Sequence, residues 1–182
     1  MRALTGTVAR APKPTPVPAL PTHVLNAHGQ LWQLCGRGIY IWTVFRCYWA
    51  SLYTRTGHFE SQEPAILDLE YLRTLSSEQT VTISVDEIRR LRPDRAESTD
   101  RWRAALKQII PDVTAGERLI GYFDPANGVS FYSAAHVLGH IGDKDFASAF
   151  LAIWLDPATR APDLRNALLG QSAVPALARD VP

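Results

Sequence analysis

At 182 residues the chain has room for one ordinary domain with a real core, and 46% apolar against 20% charged residues is the profile of a soluble globular protein. A formal charge of +1, with its arginines interleaved with carboxylates, supplies no basic field for nucleic acid or an acidic membrane surface. No stretch reaches the roughly 18 apolar residues of a membrane span, so an integral membrane segment is excluded too.

Residues 1–21 hold five of the thirteen prolines and almost no large apolar residues, which describes a disordered or polyproline-like leader able to dock a protein partner. Their basic start has no apolar run of signal-peptide length. As written the chain is expected to be cytoplasmic; a signal segment ahead of this start would make it periplasmic. The single globular domain is expected over residues 22–171, with a flexible tail over 172–182.

Within the domain, His23–Asn26 and Gln30–Cys35 read as short strands joined around His28-Gly29. Gly36 to Tyr53 (GRGIYIWTVFRCYWASLY) follows as one long strand, apolar on both faces and therefore buried on both or lining a pocket with one. Ala65 to Thr74 alternates as a strand with one wetter face, carrying Asp68 and Glu70. Ser76 offers an N-cap with Gln79 at the reciprocal capping-box position. The segment that follows, Ser77 to Leu91, contains TVTISV, a poor helical run that leaves strand and helix evenly matched until the cap and DEIRRL favour helix. Ser98 to Ile110 has helical periodicity and stops at Pro111. Glu117–Phe123 and Val129–Ser133 are strands flanking an Asn127-Gly128 turn, and His136–Ile141 is a short third strand. Asp143 to Leu155 is an amphipathic helix, and Pro162 opens a last short helix ending at Gly170. Strands cluster with strands and helices with helices, giving an α+β class with a large antiparallel sheet and helices on one face.

Few residues make a case for chemistry. His136 and His140 have the spacing of a metal pair on a helix, but they fall on β-like sequence and lack the intervening Glu of the zinc-protease pattern, so no metal is expected. No phosphate loop or nucleophile elbow occurs, and no cofactor is implied. Asp86-Glu87 and Asp143/Asp145 sit at helix positions where solvated charge is normal. Cys35 and Cys47 read as buried free thiols, although one disulfide fits the count. On the long strand Tyr40, Trp42, Arg46 and Tyr48 share parity, so phenol hydroxyls and one guanidinium would sit on one apolar wall. That wall suits an amphipathic ligand, fatty-acid-like or polyphenol-like. The alternative is that these aromatics pack under the helices and their hydroxyls find backbone partners.

Several blocks, HGQLWQLCGRGIYIWTVFRCYWASLY, LDLEYLRTLSSEQ, GERLIGYFDPANGVSFY, GHIGDKDFASAFLAIWL and PDLRNALLG, resemble the bacterial branch of the chalcone isomerase-like family, in the right order over roughly Leu25 to Gly170. The resemblance implies an open-faced β-sandwich with a ligand cleft between sheet and helices, and it favours helix over 77–91. It also implies an isomerase site in which an Arg holds a phenolate and Thr and Tyr side chains organise water and substrate. Carried over by position, that Arg is Tyr40 here, the strand Thr is Tyr48, the Tyr at the helix start falls near Thr80 and the late Thr near Ile153. The Gly usual after Trp-Leu is Asp156. Without the fixed cation a phenolate loses its electrostatic stabilisation, and fatty-acid-binding relatives lose their carboxylate anchor. The resulting expectation is a non-catalytic binder of a small apolar or amphipathic ligand, contacted by Tyr40, Trp42, Tyr48, Thr80 and Ile153. The alternatives are an isomerase or intramolecular lyase using Tyr48 and Arg46, and an interaction module whose cleft is filled by its own side chains.

Overall fold

A computed structural model describes residues 16–171, and the chain order of its strands is also their spatial order. β1 (Gln33–Trp42), β2 (Phe45–Thr54), β3 (Ala65–Tyr71), β4 (Arg118–Asp124), β5 (Gly128–Ser133) and β6 (Val137–Ile141) each pair antiparallel with the next. α1 (Thr22–His28) precedes β1, α2 (Ser77–Leu91) and α3 (Ala96–Ile109) connect β3 to β4, and α4 (Lys144–Leu155) and α5 (Pro162–Leu168) follow β6. This is the expected α+β architecture. α4 lies across β4 and β5, α5 across β1 and β2, and α2 packs on α3 and α4. The core between these helices and the sheet holds Leu52, Leu67, Tyr71, Val81, Ile88, Trp102, Leu106, Phe131 and Phe146, all almost fully buried.

The strongest local signals give the expected elements. Ser76 and Gln79 exchange both capping-box hydrogen bonds at the start of α2, which commits TVTISV to helix despite its propensity. Asp143 caps α4 through the Asp145 and Phe146 amides and also accepts from the Trp102 indole at 2.9 Å. Gly128, at φ 103°, closes the β4–β5 hairpin, where an added side chain would meet the Ile141 backbone.

Three readings of the sequence need correction. The expected strand over His23–Asn26 is the helix α1, which starts after Pro21 and ends at Gly29 with φ 89°. The expected single strand from Gly36 to Tyr53 is a hairpin, β1 and β2, joined at Thr43-Val44. Thr43 adopts φ 56°, uncommon for a β-branched residue, and its hydroxyl bonds the Trp42 carbonyl at 2.6 Å. The wetter face of β3 is not wet: Asp68 is 2% exposed and receives a two-pronged hydrogen bond from Arg118.

That second face of the sheet has its own cover. Val24 of α1 is buried with Tyr53, Ile66, Ile120 and Tyr132. Residues 16–21 run along the same face, where the carbonyls of Pro16, Pro18 and Ala19 accept from Arg37, the Tyr53 hydroxyl and Arg118 at 3.4, 3.3 and 3.0 Å. The remainder of the expected leader, residues 1–15, and the expected tail over 172–182 lie outside the described residues. Among the described residues no helix is long and apolar enough to cross a membrane.

Candidate functional site

The hairpin register places Tyr40 on β1 directly opposite Tyr48 on β2, and β3 brings Tyr71 opposite Tyr48 on its other side. The three rings form a continuous row: Tyr40 stacks on Tyr48 at 5.0 Å, and Tyr71 meets Tyr48 edge-on at 5.7 Å. The two tyrosines expected on one face therefore share it, as cross-strand partners rather than as same-parity residues of a single strand. From α4 the Trp154 indole N–H donates to the Tyr48 hydroxyl at 3.0 Å. From α2 the Thr80 hydroxyl faces the Tyr71 phenol. It meets no partner at hydrogen-bonding geometry, although it is sealed from solvent.

Burial pushes the Tyr48 and Tyr71 phenols well above their ordinary range, so both stay neutral near pH 7. They offer hydroxyl donors and acceptors, not phenolates. Tyr40 sits half-buried at the mouth of the row. Its phenol is also raised, by burial first and then by the Cys47 thiol and the Glu87 carboxylate, with Arg160 opposing. Glu87 is 7% exposed, and its carboxylate is held by Arg90 and Arg160 at 2.8 Å each. The reading of Asp86-Glu87 as solvated charge is thus corrected at Glu87. Arg90 is a local partner three residues on, whereas Arg160 lies more than seventy residues away and no local signal carries it.

Trp42 and Arg46 do not join the row. The register slips between Tyr40 and Ile41, leaving Cys47 as the extra residue, so Arg46 pairs with Ile41 and turns to the face opposite Tyr48. Arg46 and Trp42 are both exposed at the hairpin tip, Trp42 at 57%. The convergence of a Tyr48 hydroxyl and the Arg46 guanidinium, which an isomerase would require, is absent. Ile153 is half-buried on α4 against the helix-side core, and its carbonyl accepts the Thr159 hydroxyl at 2.7 Å. Two surface clefts, of about 620 and 440 Å³, lie elsewhere: one beside Arg101, Trp102 and Asp143, the other between Phe59 and α4. Neither is lined by Tyr40, Tyr48, Thr80 or Ile153. Tyr40, Tyr71 and Trp154 all pack directly against Tyr48.

The histidines belong to other arrangements. His140 on β6 and His136, just before it, pair with Ser130 and Ser133 of β5 at 3.0 and 3.3 Å. Among the described residues no group of three His, Cys, Asp or Glu side chains is arranged to hold a metal. His28, at the end of α1, stacks on Tyr122 at 3.5 Å and bonds the Tyr132 hydroxyl at 2.6 Å. Burial and then the neighbouring Arg55 hold its imidazole below the ordinary value.

The sequence profile of the family described as chalcone isomerase-like matches residues 19–170. The chain belongs to the chalcone isomerase-like family. Among curated proteins, an uncharacterized protein of Haemophilus influenzae is 27% identical over 142 residues, covering 78% of this chain and 69% of that protein. Among solved structures, a fatty-acid binding protein of Arabidopsis thaliana superposes with a TM-score of 0.62 over 78% of this chain and 88% of its own, at 11% identity, a likeness of fold. Within this chalcone isomerase-like fold, the position where the resemblance places the isomerases' Arg carries a half-buried Tyr40. The guanidinium that acts on its phenol is that of Arg160.

Proposed function

We propose that this protein is a non-catalytic binder of a small amphipathic molecule, fatty-acid-like or polyphenol-like, held between the sheet and helices α2 and α4. The observation that carries the reading is the Tyr40–Tyr48–Tyr71 row, whose phenols, with the Thr80 hydroxyl beside Tyr71, set polar groups into the apolar space between the sheet and helices α2 and α4. Tyr40, the half-buried outermost ring, is the side chain that would swing aside to admit such a ligand. A fold shared with a fatty-acid binding protein supports a lipid-like class. Catalysis is disfavoured because the buried phenols are neutral and Arg46 faces away from them.

Native mass spectrometry of the protein as purified, followed by solvent extraction, tests the reading. A co-purifying lipid or aromatic acid that is lost with Tyr48→Ala and weakened with Thr80→Val would support it and name the ligand class. A second reading, an interaction module with a filled cleft, is favoured by the packing of Tyr40, Tyr71 and Trp154 around Tyr48. A clean ligand-free mass, with no thermal shift across a panel of fatty acids and flavonoids, would replace the first reading with the second.

A further inference from the structure

The tip of the β1–β2 hairpin exposes more apolar surface than any other run of the described chain. Ile41, Trp42, Val44 and Phe45 are 48, 57, 81 and 57% exposed, and Leu72 beside them is 36% exposed. They are carried on a turn of only two residues, Thr43 and Val44, so they project as a convex knob rather than line a groove. The two charged side chains beside the knob's apolar residues, Arg46 and Arg73, are both basic. Gly36 to Tyr53 contains no carboxylate. Arg46 flanks the turn on β2, and the Arg73 guanidinium lies 5.1 Å from the centre of the Phe45 ring. Neither arginine forms an ion pair among the described residues, whereas thirteen such pairs occupy other side chains.

We infer that this hairpin tip is an interfacial anchor that docks the protein on an anionic lipid bilayer. Trp and Phe at a knob's end, with unpaired arginines directly behind them, match the layering of a membrane interface. The rings and aliphatic groups enter the headgroup–acyl boundary, while the guanidinium groups stay level with the phosphates. The near-zero net charge of the whole chain does not bear on this, because surface attraction acts over about a Debye length and is set by the arginines at the tip. Geometry argues for a bilayer over a second copy of the chain. Its convex shape, carried on a two-residue turn, has no complementary groove in the two clefts, which lie elsewhere on the molecule. Tyr40 is the residue immediately before the tip, so the docked protein would hold the mouth of the Tyr40–Tyr48–Tyr71 row at the lipid surface.

Co-sedimentation of the full chain with extruded vesicles, of phosphatidylcholine alone or mixed equally with phosphatidylglycerol, tests the inference. Binding to the mixed vesicles is expected to exceed binding to phosphatidylcholine by about tenfold. Val44→Asp is expected to reduce it by about tenfold or more. Arg46→Gln and Arg73→Gln should each weaken it by roughly fivefold at low salt. Leu31→Asp alters a side chain that is 80% exposed at the opposite end of β1, and it should leave binding unchanged. The substituted side chains at 31, 44 and 46 are exposed, so urea midpoints serve as the check that the fold is intact. No binding to either vesicle, or equal binding by wild type and Val44→Asp, would overturn the inference. So would a dimer in sedimentation velocity that Val44→Asp converts to monomer, which would assign the tip to a second copy. The assay contains no small ligand, so it can fail while ligand binding at Tyr48 stands, and the reverse.

Discussion

Gly36→Ala should be among the most damaging small substitutions in the molecule, alongside any at Gly128. A Cβ built on Gly36 collides with the Ala167 carbonyl oxygen and comes within 2.5 Å of the Leu168 carbonyl oxygen and 2.7 Å of its carbon. These are backbone atoms of α5, so no side-chain rotation relieves the clash and the helix itself has to lift from β1. α5 is anchored by Leu164 and Leu168, 3 and 0% exposed. Uncovering two buried leucines costs about 1.5–3 kcal/mol each, so full displacement of α5 costs about 3–6 kcal/mol. That is a large part of the roughly 5–15 kcal/mol that holds a domain together. Two glycines calibrate the estimate. A Cβ on Gly38 meets Leu164 Cδ1, a side-chain end that can turn away, and the Ala167 Cβ, which moves only with the α5 backbone, both at 2.8 Å, and should cost toward the upper end of about 1–3 kcal/mol. Gly116, with nothing within 4 Å but φ at 91°, should cost about 1–2 kcal/mol through backbone strain alone. Equilibrium urea unfolding of the three alanine variants gives the ranking, and hydrogen exchange should show α5 amides losing protection first in Gly36→Ala. A Gly36→Ala protein within about 1 kcal/mol of wild type would refute the close-approach argument.

Two further outcomes follow from the site and its surroundings. Tyr48→Phe removes the acceptor of the Trp154 indole, which is buried in the core, and should cost about 1–3 kcal/mol in urea unfolding. Adding Trp154→Phe should then cost less than the sum of the single changes, and strict additivity would show that the bond carries no energy. His28 sets a pH dependence of known sign: burial and Arg55 depress its folded pKa below 6.5, so the unfolded chain takes up that proton more readily. Stability should be full above the unfolded value and should fall as pH drops from about 7.5 to about 5.5, a slope that His28→Gln removes. An unchanged slope in the variant would place the titration elsewhere.

The elements legible in the sequence were those with a complete local signal. The Ser76–Gln79 capping box, the Asn127-Gly128 turn and the apolar stripe of α4 each specify their structure within a few residues. The β1–β2 hairpin was missed because its turn is Thr43-Val44, with neither the Gly nor the Asn that usually marks a reversal. That miss reached into the site. Tyr40 and Tyr48 meet across the hairpin, yet the bulge at Cys47 sends Arg46 to the other face, which parity along one strand cannot show. Tyr71 and Trp154 looked like ordinary core residues, since only the pairing of β2 with β3 and the seating of α4 bring them to Tyr48. Asp68 looked solvated because its partner Arg118 is remote in sequence, and at Glu87 the local Arg90 pair does not show that the remote Arg160 completes the arrangement.

Because every strand pairs with its sequence neighbour, β1–β2–β3 and then β4–β5–β6 can each zip in order as the chain leaves the ribosome, with α2 and α3 made between them. Among the contacts that break that locality, α5 reaches furthest: it returns from residue 162 to seat on the first strand. Until Leu164 and Leu168 have been synthesised, the inner side of β1 has no cover, however complete the rest of the sheet. The narrow glycine slot at positions 36 and 38 therefore acts as a latch for the last helix to be made, and the start of the domain waits on its end.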